Sequence, residues 1–200
     1  VIGIQAALAE RERSGLGQHI DIALFDCMTG VLANQAQNYF VNGTSPKRHG
    51  NAHPNLTPYE VFEARDGHMV IAVGNDGQFK ALCGVLGVEA LADDPDYRTN
   101  RARLTHRAAL YAQLQDRIAG ATKAELFARL TAAGVPAGPI NSVAEAFAAP
   151  QFKARGMKIA PEGDPSLRTP LVFSRSELSH DRGVPALGET DLAEAKWSKS

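Results

Sequence analysis

The sequence predicts a mixed α/β protein in which a β-hairpin and following helices interrupt a second α/β body. Three observations carry this. Asp66-Gly67 separates two β-prone runs, Tyr59–Ala64 and His68–Val73, which is a strong short-range hairpin signature. Apolar residues recur at helical spacing on both sides of that hairpin. Ahead of it, the stretch Pro46–Tyr59 holds two His, two cations, two Asn and three Pro, with little that could pack a core. Long irregular segments in compact domains commonly carry function, and proline restricts this one.

The elements follow in order. Val1–Ala9 begins inside an apolar helical pattern with no Ser, Thr, Asp or Asn ahead of it, which reads as a chain cut within a helix. That helix runs to Arg13 and stops at Ser14-Gly15-Leu16-Gly17, with glycines where a C-cap is wanted. Gln18–Leu24 alternates polar and apolar residues and predicts a strand. Phe25–Phe40 predicts one helix with Phe25, Met28, Leu32, Ala36 and Tyr39 on a face. Its Asn34, Gln35, Gln37 and Asn38 suit a subunit interface or solvent.

After the hairpin, Gly74-Asn75-Asp76-Gly77 turns the chain into a helix from Gln78 to Leu86. Asp93-Asp94-Pro95-Asp96 breaks it, and helices are expected over Asn100–Ala119 and Lys123–Ala133, the second ending at Gly134. Val135–Asn141 is extended, Ser142 caps a short helix to Ala148, and strands are expected at Met157–Ala160 and Leu171–Phe173. The last dozen residues predict weak order.

Composition narrows the function classes. Over 200 residues, 22% charged and 44% hydrophobic residues are ordinary for a soluble globular chain long enough to bury a core. A net charge of −1 and the lack of a basic stripe argue against nucleic acid. No apolar run approaches the roughly 20 residues that span a bilayer. Glu10-Arg11-Glu12-Arg13 stands where a signal peptide would need small residues, so a cytoplasmic location is expected. Cys27 and Cys83 both lie in apolar helical patterns and read as buried free thiols.

Chemistry-bearing motifs are thin. His49 and His53 have helical metal-ligand spacing, but Gly50 and His53-Pro54 oppose a helix and no third ligand follows, so no metal is expected. The Asp93–Asp96 cluster lacks the closing glutamate of a calcium loop. Gly15-Leu16-Gly17 precedes a strand instead of following one, the wrong order for a dinucleotide fingerprint. Gly74–Gly77 offers amides at a helix start, though a plain turn explains it as well. The residues taken alone support an α/β domain, part of a larger enzyme, with no specific reaction.

Six segments in order nevertheless resemble the family III coenzyme A transferases, the group that includes formyl-CoA transferase and the carnitine and bile-acid CoA transferases. They are Ala6–Ala9 through Gly15–Asp21; Arg48-His49-Gly50-Asn51-Ala52-His53-Pro54; and Pro58-Tyr59 through Asp66-Gly67. Next come Gly74–Phe79; Asp94-Pro95 with Thr99-Asn100 and Arg103; and Gly134–Asn141 leading to Pro150-Gln151 and Arg155-Gly156-Met157. The match spans nearly the whole chain and corresponds to the C-terminal half of longer family members.

The resemblance implies the C-terminal part of a Rossmann-like large domain plus a small α+β domain, in a family that forms dimers of interlocked rings. Residues 1–42 and 140–200 would belong to the large domain, and 43–139 to the small one. It implies a homodimer acting on an acyl-CoA and a carboxylic acid, with the CoA thioester as substrate and no tightly bound cofactor. In the family mechanism an aspartate attacks the donor thioester, passes through an anhydride to an aspartyl-CoA thioester, and hands CoA to the acceptor acid. By the family pattern that aspartate lies upstream of Val1, so no catalytic residue is assigned here, and Asp21 and Asp26 do not match its position.

What this chain supplies is the segment matching the family's glycine-rich flap, in which Ala52-His53-Pro54-Asn55-Leu56 replaces the glycine run. The resemblance points Gly50, Asn51, Ala52, His53 and Asn55 at the acyl carboxylate, while Lys47 and Arg48 suit CoA phosphates or a solvated surface pair. The wording from Arg48 to Pro54 is most similar to members that use dicarboxylates such as succinate. Pro185–Thr190 is similar to the family's closing motif, without the histidine that usually follows Glu189. The alternatives are an acyl-CoA racemase of the same family and an inactive, truncated, dimerising fragment.

Overall fold

In the computed structural model, residues 1–48 and 50–189 are described. They divide into two compact units, Val1–Pro54 and the part from Asn55 onward. The first unit is helical, with α1 (Ile2–Ser14), α2 (Leu24–Val31) and α3 (Asn34–Asn42). Helix α1 starts without a side-chain cap and ends as predicted. Gly15 takes φ 74°, a left-handed conformation open to glycine, and its N–H donates to the Arg11 carbonyl at 2.8 Å.

Three expectations fail in this unit. Gln18–Leu24 is not a strand: residues 18–23 are irregular and Leu24 opens α2. Alternation fixes a strand only where a neighbour pairs with it, and the described residues of this unit offer none. Phe25–Phe40 is not one helix. Gly30 weakens the C-terminal turn of α2, which tightens into Leu32 N–H to Thr29 O and Ala33 N–H to Gly30 O bonds, and Ala33 then reverses to φ 45°. Cys27 is exposed, because no described residue of Val1–Pro54 is buried. Phe25 and Phe40, 80% and 75% exposed, show an apolar surface with no core beneath it.

The second unit has the core. Strands β1 (Tyr59–Ala64) and β2 (Gly67–Ala72) form the predicted hairpin, pairing Phe62 with Met69 and Ala64 with Gly67. Strand β3 (Ala137–Pro139) adds antiparallel to β2, giving the order β1-β2-β3. Phe62, Ala64, Met69, Ile71 and Val73 turn to one buried face, as a period of two requires. The free edge of β1 is blunted by Gln115, whose side-chain amide accepts from Glu63 N–H at 2.9 Å and donates to Glu63 O at 2.7 Å.

Helices cover the buried face. Helix α4 (Asp76–Leu86) buries Phe79, Leu82, Cys83 and Leu86, the i, i+3, i+4, i+7 positions of one stripe. The short α5 (Ala90–Asp93) leads to α6 (Asn100–Thr105) and α7 (Arg107–Ile118), which buries Leu110, Leu114 and Ile118. Helix α8 (Lys123–Ala132) adds Leu126 and Leu130 and ends before Gly134 at φ 70°. The single helix expected over Asn100–Ala119 is broken at His106 (φ −107°), where the Thr105 hydroxyl bonds back to Arg101 O at 3.2 Å and bends the run.

Beyond β3, Ser142 caps α9 (Val143–Ala148) as expected, and α10 (Pro150–Ala154) follows. Strand β4 (Lys158–Ile159) lies where the sequence predicts one, but it pairs with β5 (Ser166–Leu167). Leu171–Phe173 is irregular, so that expectation is corrected: Arg168 Nη1 instead donates to Leu171 O at 3.2 Å and holds a bend. The expectation about the last dozen residues falls outside the described residues, apart from Glu189.

Lys123 joins the hairpin, α8 and α9. Its N–H donates to Asp66 Oδ1 at 2.7 Å, and its Nζ donates to Ile140 O at 3.3 Å and Glu145 Oε1 at 3.2 Å. The Ser142 N–H, the Ser142 hydroxyl and Lys123 together hold the exposed Glu145 carboxyl down at about 2, from an ordinary value of 4.5. A lowered carboxylate stabilises the fold above its unfolded value and loses that contribution as pH falls through its folded value. The Tm of wild type is therefore expected to fall faster than that of Glu145→Gln between about pH 4.5 and about pH 2. Parallel slopes in a calorimetric titration would contradict this.

Candidate functional site

The first half of the polar loop, up to Pro54, belongs to the helical unit. Gly50 adopts φ 59° in a turn with Asn51, a conformation that a β-carbon would strain. Within this unit, Lys47, Gly50 and Ala52 meet Leu32, Ala36 and Tyr39 around a largely apolar groove of about 690 Å³. Arg48, Asn51 and His53 do not line it. Lys47 and Arg48 are exposed and form no ion pair among the described residues. Ala52 and His53 are half-buried. His49 lies outside the described residues, so its spacing from His53, from which no metal site is expected, is not described; among the described residues, no three His, Cys, Asp or Glu gather as metal ligands.

The second half of the loop, Asn55–Pro58, belongs to the unit with the core, and here three side chains of α6 and α7 hold three consecutive carbonyls. Asn100 Nδ2 donates to Asn55 O at 2.9 Å. Arg107 Nη2 donates to Leu56 O, and Arg103 Nε to Thr57 O, each at 2.8 Å. Asn100 Oδ1 also accepts from Thr57 N–H at 3.2 Å, and Pro58 O accepts from Val73 N–H at 2.9 Å. Asn100, Arg103 and Arg107 stand at i, i+3 and i+7, which places them on one helical face despite the bend at His106.

Arg103 is the most enclosed of these groups, at 1% exposure. Its Nη1 donates to Tyr97 O at 2.9 Å, its Nη2 to Asp76 Oδ1 at 2.8 Å, and its guanidinium lies 4.4 Å from the centre of the Phe79 ring. A buried guanidinium needs this fork of partners. Asp76 is the first residue of α4, so the Gly74–Gly77 turn has its own uses. Asn75 Oδ1 caps Gln78 N–H at 2.9 Å, and Gln78 Oε1 takes Gly74 N–H at 2.7 Å. These bonds support the plain-turn reading over an anion cradle.

Two further titrating groups sit near. Burial raises the Glu60 carboxyl above the usual range, against the pull of Arg107, and its Oε1 is buried with no hydrogen-bond partner. Cys83 is buried and its thiol is pushed up to about 11, chiefly by burial, so it is protonated near neutral pH and unsuited to nucleophilic attack. Sequence reasoning missed the contacts of Asn100, Arg103 and Arg107 with the loop, and the burial of Glu60. The only advance signal was Thr99-Asn100 and Arg103 recurring in a matched motif, which said nothing of what they touch.

Comparison with known proteins agrees in direction. Residues 1–191 match a family model described as CoA-transferase family III. The chain is 47% identical over 194 residues to succinate--glutarate CoA-transferase of Agrobacterium fabrum, covering 94% of this chain and 48% of that protein. It is 40% identical over 192 residues to acetyl-CoA:oxalate CoA-transferase of Acetobacter aceti, covering 96% and 49%. The crystal structure of a CAIB/BAIF family protein from Brucella suis superposes with a TM-score of 0.80 at 57% identity, covering 94% of this chain and 50% of that one. The chain thus spans about half the length of the relatives it matches.

Proposed function

We propose, because this chain belongs to CoA-transferase family III, that it is the C-terminal half of an enzyme moving coenzyme A from an acyl-CoA to a small carboxylic acid. The observation that carries this is the 47% identity, across 94% of the chain, to a protein named for succinate and glutarate. Dicarboxylates are accordingly the proposed acid class. Relatives named as transferases also favour transfer over α-proton exchange by a racemase.

In this reading an aspartate outside the chain attacks the donor thioester, giving an anhydride and free CoA thiolate. The thiolate attacks the aspartyl carbonyl, releasing the donor acid and leaving an aspartyl-CoA thioester. The acceptor carboxylate then forms a second anhydride, from which the thiolate takes the acceptor acyl group and frees the aspartate. Such intermediates survive only where water is excluded. Gly50, Asn51, Ala52, His53 and Asn55 would meet the acyl carboxylate, while Lys47 and Arg48 would meet CoA phosphates. Residues 1–42 and 140–200 would complete a Rossmann-like large domain, 43–139 the small domain, and the whole a cytoplasmic homodimer of interlocked rings. The apolar surface of Val1–Pro54, which buries no described residue, supports a partner surface there.

The test is His53→Ala in a protein of the relatives' full length that carries this chain. Losing one hydrogen bond to a charged group is expected to slow CoA transfer by about ten- to a hundredfold, a larger effect than on Tm. Unchanged kinetics would return His53 to a structural role.

A further inference from the structure

The grip on Asn55–Thr57 is unusual in what it is spent on. One buried guanidinium, a second guanidinium and a side-chain amide are directed at successive carbonyls of an irregular segment. Asn100 bonds the carbonyl of residue i and the N–H of residue i+2, the pattern by which a parallel strand holds its neighbour. An irregular backbone held at three successive carbonyls is restricted in conformation, since leaving this one breaks all three bonds and strands the buried Arg103 donor.

We propose that Asn100, Arg103 and Arg107 are positioning residues that fix the exit of the substrate loop and thereby present Asn55 to the acyl group. The proposal rests on the CoA-transferase reading for its chemistry, but its geometry stands apart from that reading. None of the three is assigned contact with substrate. They act through the backbone of Asn55, Leu56 and Thr57, and β1 begins directly after Pro58, so the segment is held at both ends. The grip also supplies stiffness at a place where a glycine-rich flap would have freedom.

Asn100 gives the cleanest test, because it is only half-buried and contributes no core packing. In a full-length protein carrying this chain, Asn100→Ala is expected to speed hydrogen exchange at the Thr57 amide by about tenfold and to lower kcat by about tenfold. KM for the acyl-CoA should change little, because Lys47 and Arg48, the residues proposed to meet CoA, are not among those that Asn100 holds. Asn100→Asp keeps an acceptor for Thr57 N–H and loses the donor to Asn55 O. It should keep the Thr57 amide slow to exchange while kcat stays low.

Unchanged exchange at Thr57 in Asn100→Ala would overturn the grip. Fast exchange with wild-type kcat would overturn its positioning role, as would full activity in Asn100→Asp. Combining Asn100→Ala with Asn55→Ala should cost less than the sum of the two, since both act on one contact; additive losses would contradict that route. A wild-type protein that transfers no CoA overturns the functional reading, and Thr57 exchange still decides whether Asn100 holds the loop.

Discussion

Replacing Arg103 with alanine is expected to destabilise the unit from Asn55 onward by about 3–5 kcal/mol, the largest loss from any single polar side chain here. The guanidinium is 1% exposed and bonds Thr57 O, Tyr97 O and Asp76 Oδ1 while stacking on Phe79. Its removal strands two carbonyls, each costing about 1–3 kcal/mol if left unpaired. A further ~0.5–2 kcal/mol comes from the lost cation–π contact. Asp76 adds little to the loss, because its side chain is 56% exposed and water solvates the freed carboxylate. Arg103→Lys should recover only part, since an ammonium cannot match the planar fork. Urea unfolding measures this directly; a loss below about 1 kcal/mol would show that water replaces the bonds at small cost.

The largest effect on activity is expected from the chain by itself, which should transfer no CoA above the uncatalysed rate. The physical reason is exposure. Asp21 and Asp26 are exposed, and no described residue of Val1–Pro54 is buried, so an acyl anhydride formed there would meet bulk water. The unit from Asn55 onward has a core, but among its described residues the one carboxyl raised by burial, Glu60, lies on β1 against Arg107. A protein of the relatives' full length carrying the chain should, by contrast, exchange CoA between acids. Exchange by the isolated chain would place the nucleophile among its own residues.

Legibility in the sequence followed the scale of the interactions. The hairpin, α4, α8 and the Ser142 cap were readable because two- and 3.6-residue periods and turn chemistry are local. The first unit was misread for the opposite reason. The alternation of Gln18–Leu24 and the stripe from Phe25 to Tyr39 report burial, and these residues are exposed or at most half-buried within this chain. Both helix breaks came from small local causes, Gly30 with a tightened turn and Thr105 with a back-bonded hydroxyl. The polar loop was singled out by composition alone. Its anchoring was not, because Asn100, Arg103 and Arg107 meet Asn55–Thr57 across more than 40 residues of chain. No spacing rule connects them.

CoA transfer to a carboxylic acid is tested by incubating the full-length protein in D2O with succinyl-CoA and glutarate and following both by mass spectrometry. Glutaryl-CoA and free succinate are expected in equal amounts, with no deuterium at the carbon beside the thioester. Deuterium uptake without a new thioester, or release of free CoA alone, would contradict transfer.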